Sequence, residues 1–148
     1  MITDQLLRLS DAQGPITATA VSTNTVDLQV ARDIGEGREL YVVFTVTTAF
    51  TGAAGNSITF EVISASDAAL SSGIEVLGSS ATFDPAASVV AGTQVAVRIN
   101  PEIAGKGQRY LGARYVESGT IGGGVVTADV VLDIQDGKKF YASGFTVA

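Results

Sequence analysis

From residue 39 onward, apolar and polar residues alternate in short runs that are separated by clusters of Gly, Ser, Asn and Pro. In residues 39–50 the alternate positions Leu40, Val42, Phe44 and Val46 are all apolar, and the positions between them are mixed. A two-residue period is typical of a strand with one face in the core. The same pattern predicts strands in residues 58–62, 94–99, 110–115 and 126–134, with weaker candidates in 26–30, 74–77 and 140–147.

Helical periodicity is poor along the whole chain. Residues 1–9 and 66–72 look locally helical, but both stretches are short. Because isolated helices of under a dozen residues are marginal, we expect at most single turns there. The sequence therefore predicts seven or eight strands.

Two glycine-rich connections predict hairpins. Residues 51–56 join the runs 39–50 and 58–62 and supply residues that tolerate positive φ. Gly119 and the triplet 122–124 lie between the runs 110–115 and 126–134 in the same way. Antiparallel strands of this number bury their apolar faces in a two-sheet sandwich or jelly roll, or in a closed barrel, and we favour the sandwich.

The first 25 residues are mostly polar and carry only scattered small apolar side chains. We interpret residues 1–25 as an extended N-terminal arm and residues 26–148 as the β-sandwich domain. Such an arm either extends freely into solvent, lies along a partner, or lies along the edge of the sandwich.

The composition removes the most familiar reaction centres. The 148 residues include no His and no Cys, so imidazole bases, thiolate nucleophiles and the common zinc ligands are absent. Fifteen acidic residues against nine basic ones argue against a nucleic-acid ligand. No apolar stretch approaches the roughly 20 residues that cross a bilayer, and the N-terminal residues lack a signal-peptide pattern. We therefore expect neither membrane insertion nor signal-directed secretion.

The remaining candidates for chemistry favour simple structural roles. The glycine clusters lack the Lys-Ser/Thr that follows a phosphate-binding loop. Asp129 and Asp133 share a strand face roughly 13 Å apart, too far for a carboxylate pair, so we interpret them as solvated outer-face acids. A glycosidase would need Glu61 or Glu117 brought close by folding. A calcium site near a loop aspartate stays open, although no EF-hand string occurs. We expect no enzyme activity and no cofactor.

Assembly contacts are the better candidates. Near the C-terminus, Phe140, Tyr141 and Phe145 follow Lys138 and Lys139. This cluster is either a terminal strand on the sandwich or an anchor into a neighbouring subunit, where aromatic residues are enriched. On the N-terminal arm the candidate interface residues are Leu6, Leu7, Leu9, Asp11 and Gln13.

An ordered series of short segments gives the chain a family resemblance. The series comprises Ser10-Asp11-Ala12-Gln13, Thr17 to Ala20, Ser22-Thr23-Asn24, Val26-Asp27-Leu28, Ala31 to Gly37, Ala91-Gly92-Thr93, Arg109-Tyr110-Leu111, Tyr115, Val126 to Gln135, Tyr141 and Ser143 to Thr146. It resembles the capsid cement proteins of tailed phages, of the kind carried on the head of a Bordetella phage. The resemblance implies an oligomeric jelly-roll protein that lies outside an HK97-like shell and bridges neighbouring major capsid proteins without covalent links.

The fold class expected is thus all-β: an antiparallel two-sheet sandwich of the jelly-roll type with an extended N-terminal arm. The function expected is that of a structural virion protein, made in the host cytoplasm and bound to the outer capsid surface. Its expected partners are the major capsid protein and itself, as a dimer first and a trimer second. The alternative is a carbohydrate-binding β-sandwich module, which the absence of Trp disfavours. Deletion of residues 1–20 is expected to weaken capsid attachment and to leave the sheets intact.

Overall fold

The computed structural model describes residues 4–29, 39–85, 87–99 and 108–132. A 3-10 turn at Gln5–Leu7, capped by Asp4, precedes the first strand. The strands are β1 (Arg8–Ile16), β2 (Ala20–Val21), β3 (Val26–Asp27), β4 (Tyr41–Thr48), β5 (Thr51–Gly52), β6 (Ser57–Ala65), β7 (Glu75–Ser79), β8 (Gln94–Arg98), β9 (Tyr110–Ser118), β10 (Ile121–Gly122) and β11 (Gly124–Val131). Within these residues no helix is long and apolar enough to span a membrane.

The strands form two antiparallel sheets with the topology of a jelly roll. One sheet has the order β1-β11-β4-β8, and the other has the order β2-β9-β6-β7 with β3 also paired to β9. Strands from the first half of the chain pair with strands from the second half, as in β1 with β11 and β4 with β8. The chain is therefore one long hairpin, with its tip between β6 and β7, rolled into two facing sheets. This confirms the predicted two-sheet sandwich of the jelly-roll type.

Both predicted hairpins are wrong. Strands β4 and β6 lie in different sheets, and so do β9 and β11. Each connection crosses from one sheet to the other, and the two crossings pair with each other as the β5–β10 ribbon. Turn residues show that the chain bends, but they do not tell whether consecutive strands then lie side by side or face to face. A Cβ at Gly124 would lie 2.4 Å from the Phe50 ring, so this corner has no room for a side chain.

The core lies between the sheets and is centred on Phe60. Its ring contacts those of Phe44, Phe50, Phe83 and Tyr115, with centroids 5.2 to 6.3 Å apart. The inward faces predicted for five of the runs are confirmed in their central residues: the buried residues include Val42, Phe44, Val46, Ile58, Phe60, Val62, Val95, Val97, Leu111, Ala113, Tyr115, Val126, Ala128 and Val130.

Leu40 and Leu132 continue two of the predicted inward faces, yet both side chains are exposed. Leu40 precedes the first residue of β4 and Leu132 follows the last residue of β11. The alternation of apolar residues thus continues in the sequence past the ends of the strands, where the opposing sheet no longer covers the side chains.

The N-terminal arm lies along the edge of the sandwich, which is one of the arrangements that the sequence left open. Residues 8–16 pair with β11, and Leu9 and Ile16 are buried in the core. The pairing has three register shifts, so inward residues do not alternate regularly. The strand therefore lacks the two-residue period of apolar positions from which the other strands are predicted. Deletion of residues 1–20 would remove an edge strand and two core side chains, so we now expect it to destabilise the sheets.

A smaller core covers the outer face of β6 and β9. Leu70, in the connection between β6 and β7, packs with Ile63 and Ala65 on this face. The connection is held as a loop by Asp67, whose carboxylate accepts hydrogen bonds from the backbone N–H groups of Ser71 and Ser72 at 3.0 and 2.7 Å. Within residues 66–72, which look locally helical in the sequence, the chain thus forms turns instead of a helix.

Substitution of Gly112 tests this outer core. A Cβ at Gly112 would lie 2.3 Å from Leu70 Cδ1, so Gly112→Ala is expected to destabilise the fold by about 1–3 kcal/mol through overpacking. Leu70→Ala alone should cost about 2–5 kcal/mol. In the Leu70→Ala background the glycine substitution should cost much less, which a double-mutant cycle in urea measures. Additive costs would show that Leu70 does not occupy the space above Gly112.

Candidate assembly surface at the N-terminal strand

A buried chain of hydrogen bonds joins the N-terminal strand to the opposite sheet. Tyr115 in β9 donates its hydroxyl hydrogen bond to Ser10 Oγ at 2.7 Å, and Ser10 Oγ donates to Gln13 Oε1 at 2.7 Å. Ser10 and Tyr115 are fully buried. Burial raises the pKa of the Tyr115 hydroxyl, and the hydrogen bond to Ser10 offsets part of that rise. The neutral hydroxyl is therefore a fixed donor at all ordinary pH values.

Gln13 continues this network into the segment that follows β1. Its Nε2 donates to the Val21 carbonyl at 2.7 Å, and its Oε1 also accepts from the Thr23 backbone N–H at 3.0 Å. Further along the strand, the Asn24 backbone N–H donates to the Leu9 carbonyl at 2.9 Å. The predicted interface residue Gln13 is thus used inside the fold, and residues 20–24 lie against β1.

Arg8 forms a second link between β1 and the rest of the sheet. Its Nε donates to Asp129 at 2.9 Å, and its guanidinium also contacts Asp11 at 3.0 Å. Asp129 is only 5% exposed, so the interpretation of this residue as a solvated outer-face acid is wrong. The carboxylate is buried because β1 lies beside β11 and supplies a charge-assisted partner. Asp133 lies outside the described residues.

The other described arginines are paired in the same manner. Arg109 contacts both carboxylate oxygens of Asp27 at 2.8 Å. The remaining pairs are Arg98 with Glu39 at 2.7 Å and Arg114 with Glu61 at 2.6 Å.

The carboxylates considered for chemistry are not brought together. Glu61 is occupied by Arg114, while Glu117 has one buried carboxylate oxygen with no hydrogen-bond partner among the described residues. Across the same residues, no group of three or more Asp or Glu side chains is arranged to hold a metal ion.

The structure separates the predicted interface residues other than Gln13 into three groups. Leu6, Leu7 and Asp11 are exposed, and Leu6 is 85% exposed. Leu9 is fully buried, so the prediction that it contacts a partner is wrong: its side chain fills the core between the sheets. The C-terminal candidates Lys138, Lys139, Phe140, Tyr141 and Phe145 lie outside the described residues.

Exposed leucines that the sequence did not single out gather near Leu6 and Leu7. The pairing of Arg8 with Asp129 places the turn before β1 beside the end of β11, where Leu132 is 66% exposed. Because β11 and β4 are antiparallel, Leu40, which directly precedes β4, lies at this end too.

Leu28 completes the group. Asn24 lies beside Leu9, and the chain then runs along β9 through β3 toward the end of the sandwich at which β1 starts. Leu28, which follows β3, is 51% exposed. We call this surface, formed by Leu6, Leu7, Leu28, Leu40 and Leu132, the leucine end.

The buried hydrogen bond between Ser10 and Tyr115 gives a test of how firmly β1 is held. Ser10→Ala leaves the Tyr115 hydroxyl buried without its acceptor, and we expect a loss of about 1–3 kcal/mol. Tyr115→Phe leaves Ser10 bonded to Gln13 and should cost about 0.5–1.5 kcal/mol. The double variant should cost less than the sum of the two, as measured by chemical denaturation. Strict additivity would show that the two hydroxyls do not interact.

The Asp27–Arg109 ion pair gives a pH test. The hydrogen bonds from Arg109 and from the Gln29 backbone lower the pKa of Asp27 to about 2, from 3.8. Because the folded state holds this proton less tightly than the unfolded state, the pair stabilises the fold fully above about pH 4 and loses that effect as pH falls toward 2. NMR titration of the Asp27 carboxyl carbon should show this pKa, and Arg109→Gln should raise it toward 3.8. An ordinary pKa in the unaltered protein would contradict the pairing.

Comparison with known proteins shows to which family the chain belongs. No curated protein matches the sequence. The sequence model of the family Bbp16, a Bordetella phage protein family, matches residues 9–130, which include every strand except the first residue of β1 and the last of β11. The match supports a phage-related protein, and because it covers most of the 148 residues, the chain belongs to the Bbp16 family.

Proposed function

We propose that this chain is a structural protein of a phage virion that binds the outside of an HK97-like capsid and holds neighbouring major capsid proteins together without covalent bonds. In this proposal it is no enzyme and needs no cofactor. It acts through its surface, and it also contacts its own copies, as a dimer or a trimer. The proposal is supported chiefly by the fact that the chain is a jelly roll that belongs to a phage protein family. The polar groups of this chain are largely satisfied internally, and its exposed leucines lie beside the start of the N-terminal strand.

Internal satisfaction of the charged groups supports a passive role. Each of the four described arginines is paired with a carboxylate, and Tyr115 and Ser10 satisfy each other. Catalytic groups are commonly held with perturbed pKa values in a cleft so that they can react. Here the lowered pKa of Asp27 has a plain structural cause, its ion pair with Arg109.

Protected strand edges support attachment through side chains. Residues 20–24 lie against β1, as described above, and on the opposite side of the sandwich a Cβ at Gly78 in β7 would lie only 2.2 Å from the Arg98 carbonyl at the end of β8. Proteins shield edge strands in this way against unwanted pairing. Addition of a capsid strand to the β1 edge is thus disfavoured, and exposed side chains become the better contact.

Mass action explains how binding of this protein would stabilise the assembled shell. A protein that binds the assembled shell and not the free subunits stabilises the assembled form in proportion to its occupancy. The described residues carry ten acidic and four basic side chains. This negative charge suits a position on the outer surface, away from the packaged nucleic acid, as the proposal requires.

A carbohydrate-binding module is the competing proposal. Sugar binding commonly uses an exposed aromatic face, and the described tyrosines are engaged elsewhere. Tyr115 is buried, the Tyr41 hydroxyl donates to Glu39 at 2.7 Å, and the Tyr110 ring lies 5.1 Å below the Arg109 guanidinium carbon. A clear hit on a glycan array would favour this alternative.

Reconstitution on capsids tests the proposed function. Heads are produced from the parent phage with the gene for this chain deleted, and the purified protein is added back. We expect saturable binding, seen as extra density on the outer surface by electron microscopy, and a higher temperature of head disruption, because the bound copies stabilise only the assembled shell. Bovine serum albumin at equal concentration serves as the control. Absence of binding would overturn the proposal.

A further inference from the structure

We infer that the segment after β11, residues 133–148, folds back over the outward face of the β1-β11-β4-β8 sheet and covers Val43 and Val131. We call these two residues the valine pair. The cover is a property of the isolated chain and holds whatever the protein binds. The C-terminal aromatic cluster, which the sequence left as either a terminal strand or an anchor into a neighbouring subunit, then belongs to the chain's own sandwich.

The valine pair is buried on a face that points away from the core. Val43 and Val131 alternate with the inward residues Val42, Phe44 and Val130, so both side chains point outward. Neither belongs to the core between the sheets or to the smaller core on β6 and β9. Their exposures are nevertheless only 3% and 4%. A further apolar contact therefore covers the outward side of this sheet.

The described neighbours do not explain this burial. Ala96 lies directly beside Val43 on the same face and is exposed. The turn at Gln5–Leu7, beside the end of β11, is exposed as well, and Leu6 is 85% exposed. Thr45, the next outward residue along β4, is only half-buried. The covering atoms therefore lie above β4 and β11, at the end of the sheet where β11 stops.

The cover comes from the same chain. These exposures are those of one chain without a partner, so no neighbouring subunit is needed to bury the valine pair. Residues 30–38 and 100–107 join the described strands at the same end, but each is fixed at both ends and leads from one sheet to the other. Neither these residues nor residues 1–3 include an aromatic side chain, whereas residues 133–148 include Phe140, Tyr141 and Phe145. Because aromatic side chains bury the most area, the C-terminal segment is the best source of the cover.

The sheet order directs this segment to the outward face. β11 is already paired with β1 on one side and with β4 on the other, so a chain that reverses after β11 cannot add beside it. The edge of β1 is shielded by residues 20–24, and the inward face is filled by the core. Asp136-Gly137, a dipeptide that favours tight turns, follows shortly after the last residue of β11. A chain that reverses there meets the outward face first.

The segment also matches the valine pair chemically. With the two-residue period of a strand, Tyr141, Phe145 and Val147 fall on one face of residues 140–147. Residues 137–148 carry two lysines and no acid. Around the valine pair the described acids outnumber the arginines: Asp4, Asp11, Glu39 and Asp129 against Arg8 and Arg98. An apolar strand with adjacent lysines complements an apolar patch with an acidic rim.

Single cysteines test the inference, because the chain contains no Cys of its own. Val43→Cys places a thiol in the valine pair, and Ala96→Cys places one beside it on the same face as the matched control. A thiol reacts with N-ethylmaleimide as the exposed thiolate, so burial protects it. We expect the Val43→Cys thiol to react at least tenfold more slowly than the Ala96→Cys thiol in the folded protein, and at the same rate in urea.

Loss of the aromatic side chains should remove this protection. In the Val43→Cys protein, Tyr141→Ser combined with Phe145→Ser should raise the reaction rate at least tenfold, because the thiol is then uncovered. Phe140→Ser, on the opposite face of the same predicted strand, should change the rate less than twofold. Circular dichroism and thermal melting check that each variant folds, and Phe145→Ser alone replaces the combined variant if that one does not.

Each outcome decides the matter. If the Val43→Cys thiol reacts as fast as the Ala96→Cys thiol in the full chain, the valine pair is uncovered and the inference is wrong. Protection that survives the loss of Tyr141 and Phe145 would assign the cover to another part of the chain and also overturn it. Protection that disappears on hundredfold dilution would assign the cover to a second copy, with the same consequence. A rate that does not depend on protein concentration supports a cover from the same chain.

Discussion

The antiparallel pairing of β1 with β11 is the contact on which the rest of the structure depends. It closes the edge of the first sheet, buries Leu9 and Ile16, and brings Arg8 to the buried carboxylate of Asp129. The same pairing sets Ser10 against Tyr115 of the facing sheet. Hydrophobic burial, an ion pair and a buried hydrogen bond thus all act on one strand, and the loss of that strand would leave unpaired polar groups on both sheets.

The jelly roll imposes a second constraint at its corners, where the chain crosses from one sheet to the other and space is limited. The crossings that contain β5 and β10 turn where the core is already filled, and Gly124 against the Phe50 ring shows how little space is left. Pairing of the β5 and β10 crossings satisfies backbone groups that would otherwise be exposed at the corner. The corner is therefore closely packed and its backbone is hydrogen-bonded.

Much of this fold could be predicted from the alternation of apolar residues, because a strand with one buried face records that burial directly in its sequence. Val42, Phe44 and Val46 are an example. The edge strand β1 could not be found in this way, since its register shifts break the period and its burial rests on two apolar residues seven positions apart. The sheet to which each strand belongs could not be predicted either, because it depends on long-range pairing that turn residues do not encode.

The candidate surface was predictable only in part. Leu6 and Leu7 stood out in a polar segment, whereas Leu28, Leu40 and Leu132 looked like ordinary members of strand patterns. Their exposure comes from where each strand stops, which depends on the length of the facing sheet. Asp129 illustrates the converse case: its polar character suggested solvent, and a partner 121 positions away in the sequence explains its burial.

The separation of the two ends of the sandwich has a practical consequence for engineering. The exposed leucines Leu6, Leu7, Leu28, Leu40 and Leu132 lie at one end, where a substitution or an insertion would alter the apolar surface. The turn at residues 53–55 projects from the opposite end, and its Gly55 has open space around it. A foreign peptide inserted in that turn would lie at the end of the sandwich opposite the exposed leucines, which makes this turn the natural site for peptide insertion.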